Sequence, residues 1–248
     1  MKCLILAAGY ATRLYPLTEN FPKPLLKVGE KCILDWLVDD IDTVKLVDEY
    51  VVISNHKFAI HFEQWAKTKT QKITVVDDGT DTNETRLGAV KDIQFAIDTL
   101  KINDDVLVIA GDNVLDFSLT QFIQYACDKK TSCVMRYFEA DEKKLSKSGV
   151  LTINEQDKVL QMAEKPAKPQ SNWCCPPFYY YTAKDTNLVK EGIASGCGTD
   201  APGSYIAWLC TKTTVHAMEM PGKRYDIGNL ESYKKVQEEY TGITVKNK

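Results

Sequence analysis

Short runs of apolar, largely β-branched residues alternate with longer segments of helical period through the first 138 residues. The runs are KCLILAA (2–8), EYVVIS (49–54), KITVVD (72–77), DVLVIAG (105–111) and SCVMRYF (132–138). Several are apolar at consecutive positions, as in strands covered on both faces of a parallel sheet. The helical period runs over 32–45, 58–68, 88–100 and 117–129; FAIHFEQWA, for example, sets Phe58, Phe62 and Trp65 on one face. This order predicts an α/β protein with an open, doubly wound, mostly parallel sheet. Ligands bind such sheets beyond the carboxyl ends of the strands, so the residues after each apolar run are the first place to look for chemistry.

Past residue 148 the rhythm changes. GVLTINEQDKVLQMAEKP reads as two short strands about the turn 154–157, and Lys168 to Pro177, with three prolines, reads as a loop. FYYYT is a strand whose rings alternate between faces. Helices at 185–194 and 200–210, a strand at 213–219, a short RYDI segment (224–227) and a helix over 229–240 complete the pattern. No repeat, low-complexity tract or linker interrupts it, so one domain over 1–248 is expected.

Composition narrows the function. A net charge of −3 lacks the basic footprint of a general nucleic-acid binder, but leaves room for a local cationic pocket for an anionic small molecule. No stretch approaches the roughly 20 apolar residues that span a bilayer. Gly9, Thr12 and Arg13 cut the N-terminal run too short for a signal peptide. The eight cysteines show no CxxC pair and no zinc spacing, which points to reduced thiols in a cytoplasm.

The first run leads into LAAGYATRLYPLTENFPKPLL. Small residues at Ala7, Ala8 and Gly9 leave backbone N–H groups uncovered for an anion, with Tyr10, Ala11 and Thr12 continuing the loop. Arg13 offers a planar fork to phosphate oxygens; Lys23 offers a compact charge whose direction Pro22 and Pro24 restrict. Neither GxxxxGK[ST] nor GxGxxG is present. Asp112 stands directly after the run 105–111, where an α/β sheet binds ligands. By residue type alone each of these also suits an ordinary surface loop or turn.

The stretch LAAGYATRLYPLTENFPKPLLKVGEK resembles the N-terminal signature of the sugar-1-phosphate nucleotidyltransferases, and is most similar to that of the glucose-1-phosphate thymidylyltransferases. The resemblance implies a Rossmann-like fold of the nucleotide-diphospho-sugar transferase type, with residues 1–147 as the nucleotide part and 148–248 as a sugar-phosphate part and closing helix. It implies transfer of a nucleoside monophosphate from a nucleoside triphosphate to a sugar 1-phosphate, with Mg²⁺ and no covalent intermediate. Arg13 and Lys23 become the catalytic cations, and Ala7 to Thr12, Asn83 and Gly88 the nucleotide-binding residues. Asp112, in Gly-Asp-Asn, and Asp226, in Asp-Ile-Gly, become the Mg²⁺ ligands. Gly149 and the Glu164-Lys165-Pro166 motif become the sugar-phosphate side. No nucleic-acid or membrane partner is implied, and homo-oligomerisation is compatible with the pattern.

Three departures qualify the resemblance. Ala11 occupies the family's second glycine; because Ala tolerates positive φ poorly, the loop is expected to take another path or to dispense with a left-handed residue there. Asn83 stands where a Gln usually meets the pyrimidine edge, with the same amide on a shorter stem. Pro177 replaces a glycine beside the sugar. The alternatives are a cytidylyltransferase for a non-sugar acceptor such as phosphocholine, with Trp173, Tyr179 to Tyr181 and Trp208 as an aromatic cage, and a non-catalytic regulatory relative.

Overall fold

Glu49–Ser54 is buried at every position, which is why its sequence carries no alternation. It pairs in parallel with Lys2–Leu6 on one side and with Ile73–Asp77 on the other, in the registers Lys2↔Glu49 and Tyr50↔Ile73. The computed structural model describes residues 1–244. These fall into two units, one made of Met1–Arg86, Ala110–Gln121 and the chain from Pro221 on, the other of Leu87–Ile109 and Phe122–Met220. No helix among the described residues is long and apolar enough to cross a membrane.

In the first unit, helices supply the connections that parallel pairing requires. Ile33–Asp42 joins Lys2–Leu6 to Glu49–Ser54 in sequence and buries Ile33, Leu34, Leu37, Val38 and Ile41. His56–Ala66 buries Phe58, Phe62 and Trp65, the face its periodicity predicts. Asn55 starts that helix by accepting the Phe58 N–H at 3.0 Å. The closing helix Leu230–Glu239 is capped by Asn229 and anchored by Tyr233, whose hydroxyl donates to the Lys27 carbonyl at 2.7 Å.

The second unit is largely antiparallel. Gly149–Ile153 and Val159–Glu164 form the expected hairpin. Phe178–Tyr181 pairs with both Val106–Ala110 and Ser132–Phe138, and Val215–Glu219 runs parallel to Ser132–Phe138. Tyr179 and Tyr181 stack on one face with centroids 6.1 Å apart, so the alternation of the tyrosine run is realised inside the core.

Two expectations change. The loop expected over Lys168 to Pro177 contains the strand Trp173–Cys175, which pairs with Ser132–Phe138 and Gly149–Ile153. Its prolines flank the strand rather than interrupt it, so the pairing donors survive. The helix expected over 185–194 is two, Ala183–Thr186 and Val189–Ala194, the first capped by Thr182.

Glu49 ties the three parallel strands together. Its carboxylate accepts from Lys2 Nζ at 2.6 Å and from Thr74 Oγ1 at 2.6 Å, and Lys72 Nζ lies 3.3 Å away. Burial pushes its carboxyl up, but these partners outweigh burial and hold it at about 2, against 4.5 ordinarily. The unfolded chain then binds the extra proton between those values, so the stabilisation is present above 4.5 and lost as the pH falls toward 2. Urea unfolding of Glu49→Gln should show a loss of roughly 1–3 kcal/mol at neutral pH and a shallower acid limb than wild type.

Candidate active site

The loop after Lys2–Leu6 is held from several directions. Asn55 Nδ2 donates to the Ala8 carbonyl at 2.9 Å, and the Tyr10 hydroxyl donates to the Thr80 carbonyl at 3.0 Å. Ala7, Ala8 and Tyr10 are buried while Gly9 is exposed, and a methyl group built on Gly9 would meet no atom within 4 Å. The backbone at Gly9 therefore faces open space, as an anion-binding loop needs.

Ala11 corrects the expectation drawn from its side chain. It adopts φ 47° and ψ 40°, the left-handed conformation itself. Its carbonyl accepts from the Thr18 hydroxyl at 2.8 Å and from the Leu14 N–H at 2.9 Å, so its surroundings impose a conformation that alanine disfavours by roughly 1–2 kcal/mol. A single turn over Thr12–Leu14 follows and leaves Arg13 exposed, with no partner among the described residues.

Lys23 lies in the opposite environment. Pro22, at φ −73° and ψ 135°, leads into a turn over Lys23–Leu25 that buries the lysine. Its ammonium donates to Asp112 Oδ2 at 2.7 Å. Asp112 follows Gly111, where packing demands glycine: a methyl there would stand 2.8 Å from Ile5 Cγ2. Burial pushes the Asp112 carboxyl up, but Lys23 and Arg224 outweigh it and hold the group below the usual carboxylate range. Its side chain retains 44% exposure.

Asp226 is brought alongside by a short antiparallel ladder. Val114–Leu115 pairs with Arg224–Tyr225 in the register Arg224↔Leu115 and Tyr225↔Val114. Asp226 directly follows the second strand, and Asn113, the neighbour of Asp112, directly precedes the first. Asp226 is exposed and has no partner among the described residues. Accessible carboxylates at Asp112 and Asp226 are all-oxygen donors of the kind that fit Mg²⁺.

In the second unit, Gly88 sits at φ +92°, and a methyl on it would lie 2.6 Å from the Thr199 carbonyl oxygen. The helix expected here begins at Ala89. The carbonyls of Asp200 and Thr199 accept the N–H groups of Ala89 (3.2 Å) and Val90 (3.0 Å), a capping role that the sequence did not announce. In the first unit, Asn83 is exposed and its Oδ1 accepts from Arg86 at 2.9 Å.

Gly149 and Glu164 face each other across the hairpin. A methyl on Gly149 would stand 3.2 Å from Glu164 Oε1, and one on Gly203 would stand 2.0 Å from the same atom. The Glu164 carboxylate thus lies over two glycines. Burial raises its pKa, opposed by Lys165 and by the Gly203 N–H that bonds to it. The Gly203 N–H bond to Glu164 is a contact that the residue pattern did not announce beyond the Pro-Gly opening of a helix. Lys165 is exposed at φ 46°, with no side-chain partner among the described residues.

The rings that the phosphocholine alternative would use as an ammonium cage are engaged elsewhere. Tyr179, Tyr180 and Tyr181 are buried in the core, the Arg136 guanidinium lies 4.6 Å over Trp173, and Trp208 stacks on Tyr205. Tyrosine edges turned inward among strands cannot face a soluble ligand.

Comparison with known proteins identifies the family. The family model for nucleotidyl transferases matches residues 2–242, and the chain belongs to this family. The bifunctional protein GlmU of Methanococcus aeolicus is 30% identical over 233 residues, covering 92% of this chain and 51% of GlmU. The chain thus spans about half the length of the GlmU proteins it matches. The UTP–glucose-1-phosphate uridylyltransferase AglF of Haloferax volcanii is 26% identical over 254 residues, covering 98% of this chain and all of AglF. UDP-glucose pyrophosphorylase in complex with UDP-glucose shares the fold, with a TM-score of 0.82 at 21% identity, covering 96% of this chain and 97% of that one.

The loop geometry sets two stability changes of opposite sign. Ala11→Gly relieves the left-handed strain, less the extra freedom glycine gains on unfolding, for a net gain of about 0.5–1 kcal/mol. Gly88→Ala drives a methyl into backbone and costs more than about 2 kcal/mol. Urea midpoints of the two variants measure both.

Proposed function

We propose that this chain transfers a nucleoside monophosphate from a pyrimidine nucleoside triphosphate, dTTP or UTP, to glucose 1-phosphate or a close sugar 1-phosphate, releasing pyrophosphate. The observation that carries the reading is the Lys23 ammonium 2.7 Å from Asp112, with Asp226 directly after the strand that pairs with Val114–Leu115. Membership of the nucleotidyl transferase family and the full-length likeness to AglF support it. Residues 1–147 serve the nucleotide and the later residues the sugar phosphate, with Asp226 returning to the metal side.

A phosphate oxygen of the sugar 1-phosphate attacks the α-phosphorus, a new P–O bond forms, and the bond to the β-phosphate breaks as pyrophosphate leaves. The acceptor is an anion at neutral pH, so no protein nucleophile is required. The obstacle is repulsion between two anions, which preorganised cations offset. Arg13 and the backbone of Ala7 to Thr12 hold the triphosphate, and Lys23 neutralises the group in transfer. Lys165 binds the incoming phosphate, while Glu164 and Gly149 meet the sugar. Asn83 and Gly88 border the base. Mg²⁺ on Asp112 and Asp226 supplies charge neutralisation at the phosphates when bound.

Loss of one such cation costs on the order of 3 kcal/mol in the transition state, about a hundredfold in rate. Pyrophosphate-release assays with Mg²⁺ should show Arg13→Ala, Lys23→Ala and Asp112→Ala each more than about tenfold slower with circular dichroism unchanged. Lys165→Ala should act mainly on the KM for the sugar phosphate. Pyrophosphate release by Lys23→Ala at the wild-type rate removes that lysine from the mechanism. A thermal-shift panel of dTTP, UTP, CTP, GTP and ATP with Mg²⁺ identifies the base, since saturation a hundredfold above Kd adds about 2.7 kcal/mol. Stabilisation by a purine nucleotide alone overturns the pyrimidine assignment.

A further inference from the structure

Neither Asn113 nor Arg224 has a part in the reaction as described above, yet between them they connect the segments that carry both acidic residues. Asn113 is 2% exposed, and its amide is engaged on both sides. Its Nδ2 donates to the Ala110 carbonyl at 2.9 Å and to Asp112 Oδ1 at 3.3 Å. Its Oδ1 accepts from Arg224 Nη1 at 3.0 Å. Arg224 lies on the partner strand of the ladder and precedes Asp226 by two residues. The hydrogen bonds therefore run from the turn holding Asp112, through a buried amide, to the strand Arg224–Tyr225 that Asp226 directly follows. With Lys23 on the other Asp112 oxygen, the carboxylate is fixed through both oxygens.

We infer that Asn113 and Arg224 are positioning residues that set the spacing of the Asp112 and Asp226 carboxylates for a divalent cation. The ladder itself is two residues long on each strand, too short to fix a side chain one step beyond its end. The Arg224–Asn113 hydrogen bond adds a cross-strand tie at that end. The inference rests on the reading of Asp112 and Asp226 as the metal pair of a nucleotidyl transfer site.

Electron paramagnetic resonance of Mn²⁺ tests it, with dTTP or UTP present and no acceptor, so that no transfer occurs. Arg224→Met should bind Mn²⁺ at least about tenfold more weakly than wild type, the usual consequence of removing a partner that orients a metal ligand. The Mg²⁺ concentration for half-maximal pyrophosphate release should rise by a similar factor, while the rate at saturating Mg²⁺ changes less than about threefold. Metal-free nucleotide affinity should stay unchanged, and Arg224→Lys, which keeps a donor and the charge, should recover most of the Mn²⁺ binding. Unchanged Mn²⁺ binding in Arg224→Met, an equal loss of metal-free nucleotide affinity, or no recovery by Arg224→Lys overturns the positioning role alone. Should Arg224→Met fail to fold, Arg224→Gln is judged by the same criteria. A wild-type protein that neither binds Mn²⁺ with any nucleoside triphosphate nor releases pyrophosphate overturns the transfer reading, and this inference with it.

Discussion

A lysine ammonium taken out of water must be met by an anion, and here that requirement joins residues 23 and 112. An uncompensated charge in this position would cost several kcal/mol, so the turn that buries Lys23 and the glycine that delivers Asp112 are mutually dependent. Gly111 makes the meeting possible: without a side chain, its backbone approaches Ile5 and Leu34, and its N–H reaches the Leu6 carbonyl at 2.9 Å. Pairing, against the opposing effect of burial, holds the Asp112 carboxyl below the usual carboxylate range.

The fold's contribution is to convert strand ends into fixed loops. The Ala8 carbonyl is held by the residue that caps His56–Ala66, so the helix start and the loop conformation are one structural unit. Thr18 performs a similar service for Ala11, accepting backbone strain locally in exchange for a set chain path. Such strain persists only where several independent contacts impose it. The same logic governs Gly88, where the carbonyls of Thr199 and Asp200 take up the first N–H groups of a helix and leave no volume for a side chain.

Much of this was legible from residue pattern. Glu49–Ser54 and Ser132–Phe138 lie where continuous apolar runs place them, because burial on both faces leaves a signal that does not depend on neighbours. Trp173–Cys175 was not legible: a three-residue strand between prolines has no period to detect, and only pairing with strands on either side makes it one. The left-handed Ala11 was read the wrong way because intrinsic preference was set against contacts that only the folded chain supplies. Lys23 and Asp112 were identified as residues of interest, but their direct bond joins positions 89 apart and belongs to tertiary structure. The Arg224–Asn113 hydrogen bond was hidden for the same reason, joining positions distant in sequence.

The cations differ in a way that matches the parts assigned to them. Lys23 is buried, aimed and neutralised, so its position is fixed before any ligand arrives. Arg13 and Lys165 are exposed and have no side-chain partner among the described residues. An exposed, hydrated side chain gains little from a surface carboxylate, so leaving it unpaired costs little stability and keeps its charge available to an arriving phosphate. A buried cation offers the reverse: little freedom to reach, but an electrostatic field already in place that a group in transfer need not reorganise. The proposed transfer, which gathers two anions and stabilises charge passing between them, calls for both kinds of cation, and the local backbone sets each: the exposed ones stand on a single turn and at a hairpin end, the buried one between two prolines.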